Sequence, residues 1–241
     1  MIQGPPDRVG AKLLVGPDTP PEGTLGHPDL DRVVARDALG ELAAGRSGTR
    51  HYGPAGEARQ EELAVFVESF APPPHMVIFG AVDFTAALMR VAKFLGYRVT
   101  VCDARAVFAT RARFPLADDV VVDWPNRYLA QVGPSLGPRD AVCVLTHDAK
   151  FDVPAVIAAL ATGAGYIGAM GSRRTNEQRA ERLREEGVPD DQLARVMSPI
   201  GLDIGARTPE ETAVSICAEI IALRTGKRAP SLRDAAGPIH G

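Results

Sequence analysis

Residues 76–105 constrain the fold more than any other stretch of this 241-residue chain. The apolar run Met76-Val77-Ile78-Phe79 leads into the turn Gly80-Ala81-Val82-Asp83. A segment with apolar residues at helical spacing follows, then Arg98-Val99-Thr100-Val101-Cys102 and the acid Asp103. A buried strand, a glycine turn, a helix, a second strand and an acid roughly 20 residues past the turn open a Rossmann-like fold. Gly80 lets the chain reverse into the helix, whose first N–H groups and positive dipole end suit an anion. Asp103 stands where such folds place an acceptor for ribose hydroxyls. The turn departs from G-x-G-x-x-G/A, however. Gly80 and Ala86 fit, but Val82 replaces the second glycine, and Asp83 puts negative charge where a phosphate would lie. The strand–turn–helix unit is therefore expected, and ordinary pyrophosphate binding at its turn is not.

The alternation continues downstream. The first helix is expected over 84–95, burying Phe84, Leu88, Val91, Ala92 and Leu95 and ending at Gly96. After an arginine-rich link, Val120-Val121-Val122 reads as a third strand closed by Pro125, with a short helix over 128–132. Residues 141–145 form a fourth, fully apolar strand ending in Thr146-His147-Asp148. Pro154, at a first helical position, starts a helix through Leu160. Residues 166–171 form strand five and its loop. Thr175 and Gln178 read as a capping box for a charged helix through Glu186. A short strand at 195–197 and a second capping box, Thr208-Pro209-Glu210-Glu211, complete the series. The helix it opens buries Ala213, Ile216, Cys217, Ile220 and Leu223 and ends at Gly226. Strands alternating with helices mean an α/β, doubly wound parallel sheet with helices on both faces, in the order 3-2-1-4-5-6.

Residues 1–74 differ and read as a small, truncated α+β module. A short strand lies within 10–16, a turn over 17–23, and Thr24-Leu25-Gly26 suits a returning strand. A helix over 29–44 ends at Gly45, a turn follows over 52–56, and a strand lies within 63–70. Pro72-Pro73-Pro74 is a stiff spacer and sets the boundary to the Rossmann-like domain at 75–226. Residues 227–241 read as a mobile tail. So thin a module buries little surface alone, which points to packing on its neighbour or on a second copy, and so to a homodimer.

Composition excludes several classes. A net charge of −3 with both signs mixed offers no nucleic-acid or membrane-surface patch. No apolar run approaches the ~20 residues of a membrane span. The first residues lack the apolar core of a signal peptide, so a soluble cytoplasmic protein is expected. Cys102, Cys143 and Cys217 show no metal spacing, so no zinc or other metal site is expected. With strand one between them, Cys102 and Cys143 would lie about 10 Å apart, beyond the roughly 7 Å reach of a disulfide.

In such sheets ligands bind beyond the carboxyl ends of the strands where strand order reverses, here between strands one and four. The loops facing that point hold Asp83, His147 and Asp148, and the loop after strand five brings Ser172 and Arg173, a hydroxyl and a guanidinium suited to an anion. Each has a structural alternative: His147 and Asp148 as caps, Ser172-Arg173-Arg174 as a solvated helix start, Arg105 as the partner of Asp103. The candidate ligand contacts are Gly80, Ala81, Val82, Asp83, Asp103, Arg105, Thr146, His147, Asp148, Gly168, Gly171, Ser172 and Arg173. No nucleophile–base pair stands out by spacing, and no catalytic residue is assigned. From the fold and Asp103 alone, an NAD(P)-dependent oxidoreductase is one reading. A structural protein that binds only other proteins is another.

Several stretches together resemble a known family. They are Val77-Ile78-Phe79-Gly80-Ala81, Cys102-Asp103-Ala104-Arg105, Arg113-Phe114-Pro115 with Ala117-Asp118, Val144-Leu145-Thr146-His147-Asp148, and Tyr166-Ile167-Gly168 with Gly171-Ser172-Arg173-Arg174. Further along come Pro199-Ile200-Gly201-Leu202-Asp203-Ile204-Gly205 and Thr208-Pro209-Glu210 leading to Ala213-Val214-Ser215-Ile216 and Ala218-Glu219. Over nearly all of 75–226 the chain resembles the XdhC/CoxF maturation factors of molybdenum hydroxylases. Residues 1–74 are similar to the end of that family's first domain. The family's usual Gly-Ala-Gly-His turn reads Gly80-Ala81-Val82-Asp83 here. Gly26-His27-Pro28 stands near the place where many members carry Gly-Gly-Cys. The resemblance implies a chaperone rather than a catalyst. It would bind molybdenum cofactor, support sulfuration by a cysteine desulfurase, and deliver the cofactor to an apo-hydroxylase of the xanthine or CO dehydrogenase type.

Overall fold

The computed structural model describes residues 1–58, 60–146 and 148–234. The chain forms two compact units, Met1–Pro72 and Pro73–Gly241.

In the first unit, β1 (Leu13–Gly16) pairs antiparallel with β2 (Thr19–Gly23). The turn expected over 17–23 is therefore mostly strand. Pro20 and Pro21 are tolerated there because β2 is exposed and pairs on one side only. Thr24-Leu25-Gly26 is not the returning strand. It leads into α1 (Pro28–Ala44), with Leu25 N–H donating to Asp31 Oδ1 at 2.7 Å. Gly45, at φ 61, ends that helix in the left-handed conformation glycine favours. β3 (Gly48–Tyr52) pairs antiparallel with β4 (Leu63–Val67), so the last strand stops short of Phe70. Leu25, Leu30, Val34, Tyr52, Leu63 and Val65 give this unit its own core.

The second unit is built on a six-stranded, wholly parallel sheet. Its strands are β5 (His75–Phe79), β6 (Arg98–Cys102), β7 (Asp119–Val121), β8 (Ala141–Val144), β9 (Tyr166–Ala169) and β10 (Val196–Met197). Their spatial order, β10-β9-β8-β5-β6-β7, is the expected 3-2-1-4-5-6 read from the other edge. The pleat divides the core. Met76, Ile78, Val99, Val101 and Cys143 pack with α2 (Asp83–Phe94) and α7 (Pro209–Thr225) on one face. Val77, Phe79, Cys102, Val142 and Val144 pack with α3 (Pro125–Val132) and α4 (Ala149–Leu160) on the other. Burial on both faces is why the central strands read as continuous apolar runs. Cys102 and Cys143 thus belong to opposite faces, and all three cysteines are buried and free.

Several local expectations are corrected. α4 begins at Ala149, capped by Asp148, and Pro154 lies inside it, leaving the Lys150 carbonyl without its usual helical donor. α5 (Arg173–Glu185) is capped by Ser172, whose Oγ accepts from Thr175 N–H at 3.1 Å, so Thr175 is not the cap. Leu95 and Leu223, expected to be buried, are exposed, each near the C-terminal end of its helix. The one-turn α6 (Asp190–Leu193) has no counterpart in the expected series. The capping box at Thr208 and Glu211 forms as expected. Part of the tail, 235–241, lies outside the described residues. Among those described, no helix is long and apolar enough to cross a membrane.

Candidate functional site

β5, β8 and β9 are parallel neighbours, so the loops that follow them leave the sheet at the same end. The first two loops touch. Gly80 has φ 105, and a Cβ there would sit 3.0 Å from Thr146 N. Only glycine allows both that conformation and that approach. Thr85 Oγ1 donates to the Gly80 carbonyl and fixes the start of α2. Thr146 is buried, and its Oγ1 has no hydrogen-bond partner among the described residues. His147 lies outside the described residues.

Asp103 is buried and saturated. Its Oδ2 accepts from Ala81 N–H at 2.8 Å and Arg105 Nη2 at 2.8 Å. Its Oδ1 accepts from Arg105 N–H and Nε, both at 2.9 Å. Burial alone would raise its pKa. The Arg105 fork and the two backbone donors outweigh burial and hold the carboxyl below its ordinary value. A carboxylate has about four lone-pair sites, so a ribose hydroxyl would have to displace one of these donors. Of the two readings of Arg105, the structure shows the one that pairs it with Asp103. The Ala81 N–H is likewise consumed. Val82 precedes α2 in extended conformation with its side chain half-buried against the core, and Asp83 is 92% exposed.

Arg113 and Phe108, which sequence reasoning missed, close over this turn. Arg113 Nη1 donates to the Ala81 carbonyl at 3.0 Å and the Phe108 carbonyl at 3.3 Å, and Nη2 lies 3.8 Å from Asp83 Oδ1. The Arg105 and Arg113 guanidiniums stand 4.6 and 5.7 Å from the centre of the Phe108 ring. An aromatic between two arginines, just after the acid that ends a strand, was the available signal. On the opposite side, Asp148 caps α4 and lies 3.4 Å from Lys150 Nζ. Its charge also raises the pKa of Arg105, after the larger effect of Asp103. Trp124 packs on Phe151 with ring centres 4.9 Å apart.

The third loop is placed differently from expectation in one respect. Gly168 is inside β9 and buried, and a Cβ there would run into Ile200 at 2.6 Å, so it is a packing glycine. Gly171 offers its carbonyl to Asn176 Nδ2 at 3.1 Å. Arg173 and Arg174 occupy the first turn of α5, which holds no acid. Arg173 makes no ion pair among the described residues.

Beneath that turn lies a polar network that the sequence does not reveal. Arg179 Nη2 lies 3.0 Å from Asp152 Oδ2, with both side chains 4% exposed, and donates to the Met170 carbonyl at 2.7 Å. Its Nη1 donates to Asn176 Oδ1 and, at 3.3 Å, to Ser198 Oγ. One guanidinium thereby ties together α4, α5 and the ends of β9 and β10. The segment after β10 is pinned as well. Glu219 Oε2 accepts from Gly201 N–H at 2.9 Å and Tyr166 OH at 2.6 Å, and Ser215 Oγ donates to the Leu202 carbonyl at 2.5 Å. A cavity of about 330 Å³ opens beside Arg179. Among the described residues, no group of His, Cys, Asp or Glu converges as a metal site.

Comparison with known proteins adds context. A family model described as the XdhC Rossmann domain matches residues 76–220, and one described as the XdhC and CoxI family matches residues 3–53. A Bacillus subtilis protein described as a probable xanthine dehydrogenase component is 34% identical over 160 residues, 66% of this chain and 46% of that protein. A molybdenum cofactor insertion chaperone, PaoD, of Escherichia coli is 33% identical over 84 residues, 35% of this chain and 26% of its own length. An uncharacterized Escherichia coli protein, YqeB, is 26% identical over 92% of this chain and 42% of its own. The chain spans less than half the length of these curated relatives. A crystal structure described as a xanthine dehydrogenase from Bacillus halodurans superposes with a TM-score of 0.60 at 27% identity. That match covers 88% of this chain and 69% of the other.

Proposed function

The chain belongs to the XdhC family, and from that premise we propose that it is a maturation factor for a molybdenum hydroxylase of the xanthine or CO dehydrogenase type. It binds molybdenum cofactor as cargo at the crevice beyond β5, β8 and β9. It presents the cofactor to a cysteine desulfurase for sulfuration and passes it to the apo-hydroxylase, acting as a homodimer in the cytoplasm. The saturated carboxylate of Asp103 carries the choice of a chaperone over a nicotinamide enzyme. The acid and the turn N–H that such an enzyme would turn toward its dinucleotide are bonded here to the protein's own Arg105 and Ala81. A relative described as a molybdenum cofactor insertion chaperone supports the same direction.

Titration of the purified chain with molybdenum cofactor tests the proposal. Saturable binding in the micromolar range is expected, and its absence overturns the reading. A thermal-shift series with NAD(H) and NADP(H) runs beside it, with no dinucleotide-specific rise in Tm expected. A clear rise with one of them would favour an oxidoreductase. Co-purification with a hydroxylase in the absence of any small ligand would favour a purely structural role.

A further inference from the structure

We propose that the outer face of α7 is a self-association surface, on which a second copy of this chain lays the same helix antiparallel across a two-fold axis near Ala218. The helix is apolar on two sides. One side, with Ala213, Ile216, Cys217 and Ile220, is buried in the core. The other carries Val214, Ala218 and Ile221, of which Val214 is 52% exposed and Ile221 is exposed as well. A helix on the surface of a domain ordinarily keeps its outer side polar, and one that is apolar all round is ordinarily covered all round. Arg90 of α2 reaches Glu210 of α7 at 3.7 Å, and Phe94, one turn beyond Arg90, is 89% exposed. Apolar side chains thus stand exposed on both helices, and such patches mark interaction sites.

Spacing and charge select the occupant. Val214, Ala218, Ile221 and Thr225 follow one another at intervals of four, three and four residues, the spacing of a seam along which two helices pair. The small side chain of Ala218, at its middle, lets two backbones approach. Charge is graded along the helix. Glu210 and Glu211 occupy its first turn, and Arg224, Lys227 and Arg228 stand in its last turn and just past it. Glu210 stays 67% exposed in its loose pair with Arg90. A parallel copy would set like charges side by side. An antiparallel copy centred on Ala218 sets the acids of each helix toward the bases of the other, and Val214 toward Ile221 of the second copy. Arg90 and Arg207 offset part of the acid charge, so the apolar seam supplies the affinity and the charges set the direction. One patch meeting itself in this way is the isologous contact of a two-fold dimer. The inference takes up the homodimer of the maturation reading and gives it a surface, but it needs no cargo.

The test is sedimentation equilibrium of the full chain. A reversible monomer–dimer equilibrium in the micromolar range is expected. Ile221→Glu, which sets a charge in the seam, raises the dissociation constant about thirtyfold or more, in a monomer that still melts cooperatively. If that variant fails to fold, Val214→Glu carries the same expectation. Arg224→Glu weakens the dimer, more at low salt than at high salt. Direction is read by cysteine cross-linking, since the three native thiols are buried. Ala218→Cys forms a disulfide between copies under mild oxidation. Glu210→Cys does not, because in an antiparallel pair its two copies stand about 24 Å apart, at a rise of about 1.5 Å per residue. Phe70→Glu, at an exposed position of the first unit, leaves the dimer unchanged. A wild-type chain that stays monomeric, a dimer indifferent to Ile221→Glu, or one broken by Phe70→Glu overturns the inference. A chain that never dimerises but loses an apo-hydroxylase through Ile221→Glu overturns it too, and gives the face to the client. Molybdenum cofactor bound by a chain that is monomeric throughout would sink this surface and spare the maturation reading. Dimerisation through this face, with no cofactor binding at all, would do the reverse.

Discussion

The carboxylate of Asp103 accepts the N–H of Ala81 at 2.8 Å, bridging 22 residues of sequence, while Arg113 holds the carbonyl of that same alanine at 3.0 Å. The turn after β5 is thus gripped from both sides by the segment after β6. A turn that is open in dinucleotide enzymes is braced here by the protein's own side chains.

Stability should report that brace through its pH dependence. Asp103 has a folded pKa below its unfolded value, so its contribution is complete above the ordinary carboxylate value of about 3.9. It is lost as pH falls from there through the lower folded value. Asp103→Ala is expected to cost about 2 kcal/mol at pH 7, below the range for a fully buried pair because Arg105 is partly exposed. Guanidinium unfolding between pH 7 and pH 3 should show the wild type and the variant converging as acid is added. Parallel curves would contradict the assignment.

Gly80→Ala should destabilise the chain by about 2 kcal/mol or more, since it adds a left-handed alanine and a contact with Thr146 N at 3.0 Å. Denaturant melts of the variant check this. A loss no larger than that of a surface alanine substitution would mean that β5 and β8 can part at their ends without penalty.

The Asp152–Arg179 pair predicts a strong non-additivity. Asp152→Ala or Arg179→Ala alone breaks a buried ion pair and should cost about 3–5 kcal/mol, whereas the double variant Asp152→Leu with Arg179→Met should recover most of that loss. A double-mutant cycle on unfolding free energies decides it. Additive losses would show that each residue is held mainly by other groups.

The thiols should be inert in the folded protein. Burial pushes Cys102 and Cys217 up to about 12 and holds Cys143 well above the ordinary thiol range, so almost no thiolate forms near neutrality. A thiol-disulfide reagent at pH 8 should titrate none of them natively and all three after denaturation. Rapid native reaction at any one would reopen a role in sulfur relay.

What can be read from the sequence follows from the range of each interaction. β5, α2 and β6 are legible because burial on both faces of the sheet writes uninterrupted apolar runs, and the strand order follows from parallel crossovers. The cap of α7 is legible because Thr208 and Glu211 answer each other within one turn. Ser172 and Thr175 are harder to separate, since both carry hydroxyls, and their oxygens lie 2.8 Å apart. β3 is invisible because Gly-Thr-Arg-His-Tyr mostly faces solvent and becomes a strand only through its pairing with β4. Arg113 and Arg179 look like surface charge because their partners lie far off in sequence, Ala81 by 32 residues and Asp152 by 27. Periodicity registers whether a position is apolar. It does not register an arginine drawn inward by a distant carbonyl or carboxylate.

The outermost strands of the parallel sheet are stubs: β10 has two residues, and β7 three, the first of them Asp119 paired with Arg98. So short a border leaves little unsatisfied main chain for another polypeptide to zip onto, which guards against fibrous polymerisation. Any lasting association through this sheet's margins therefore has to be written in side chains, where single substitutions can tune it.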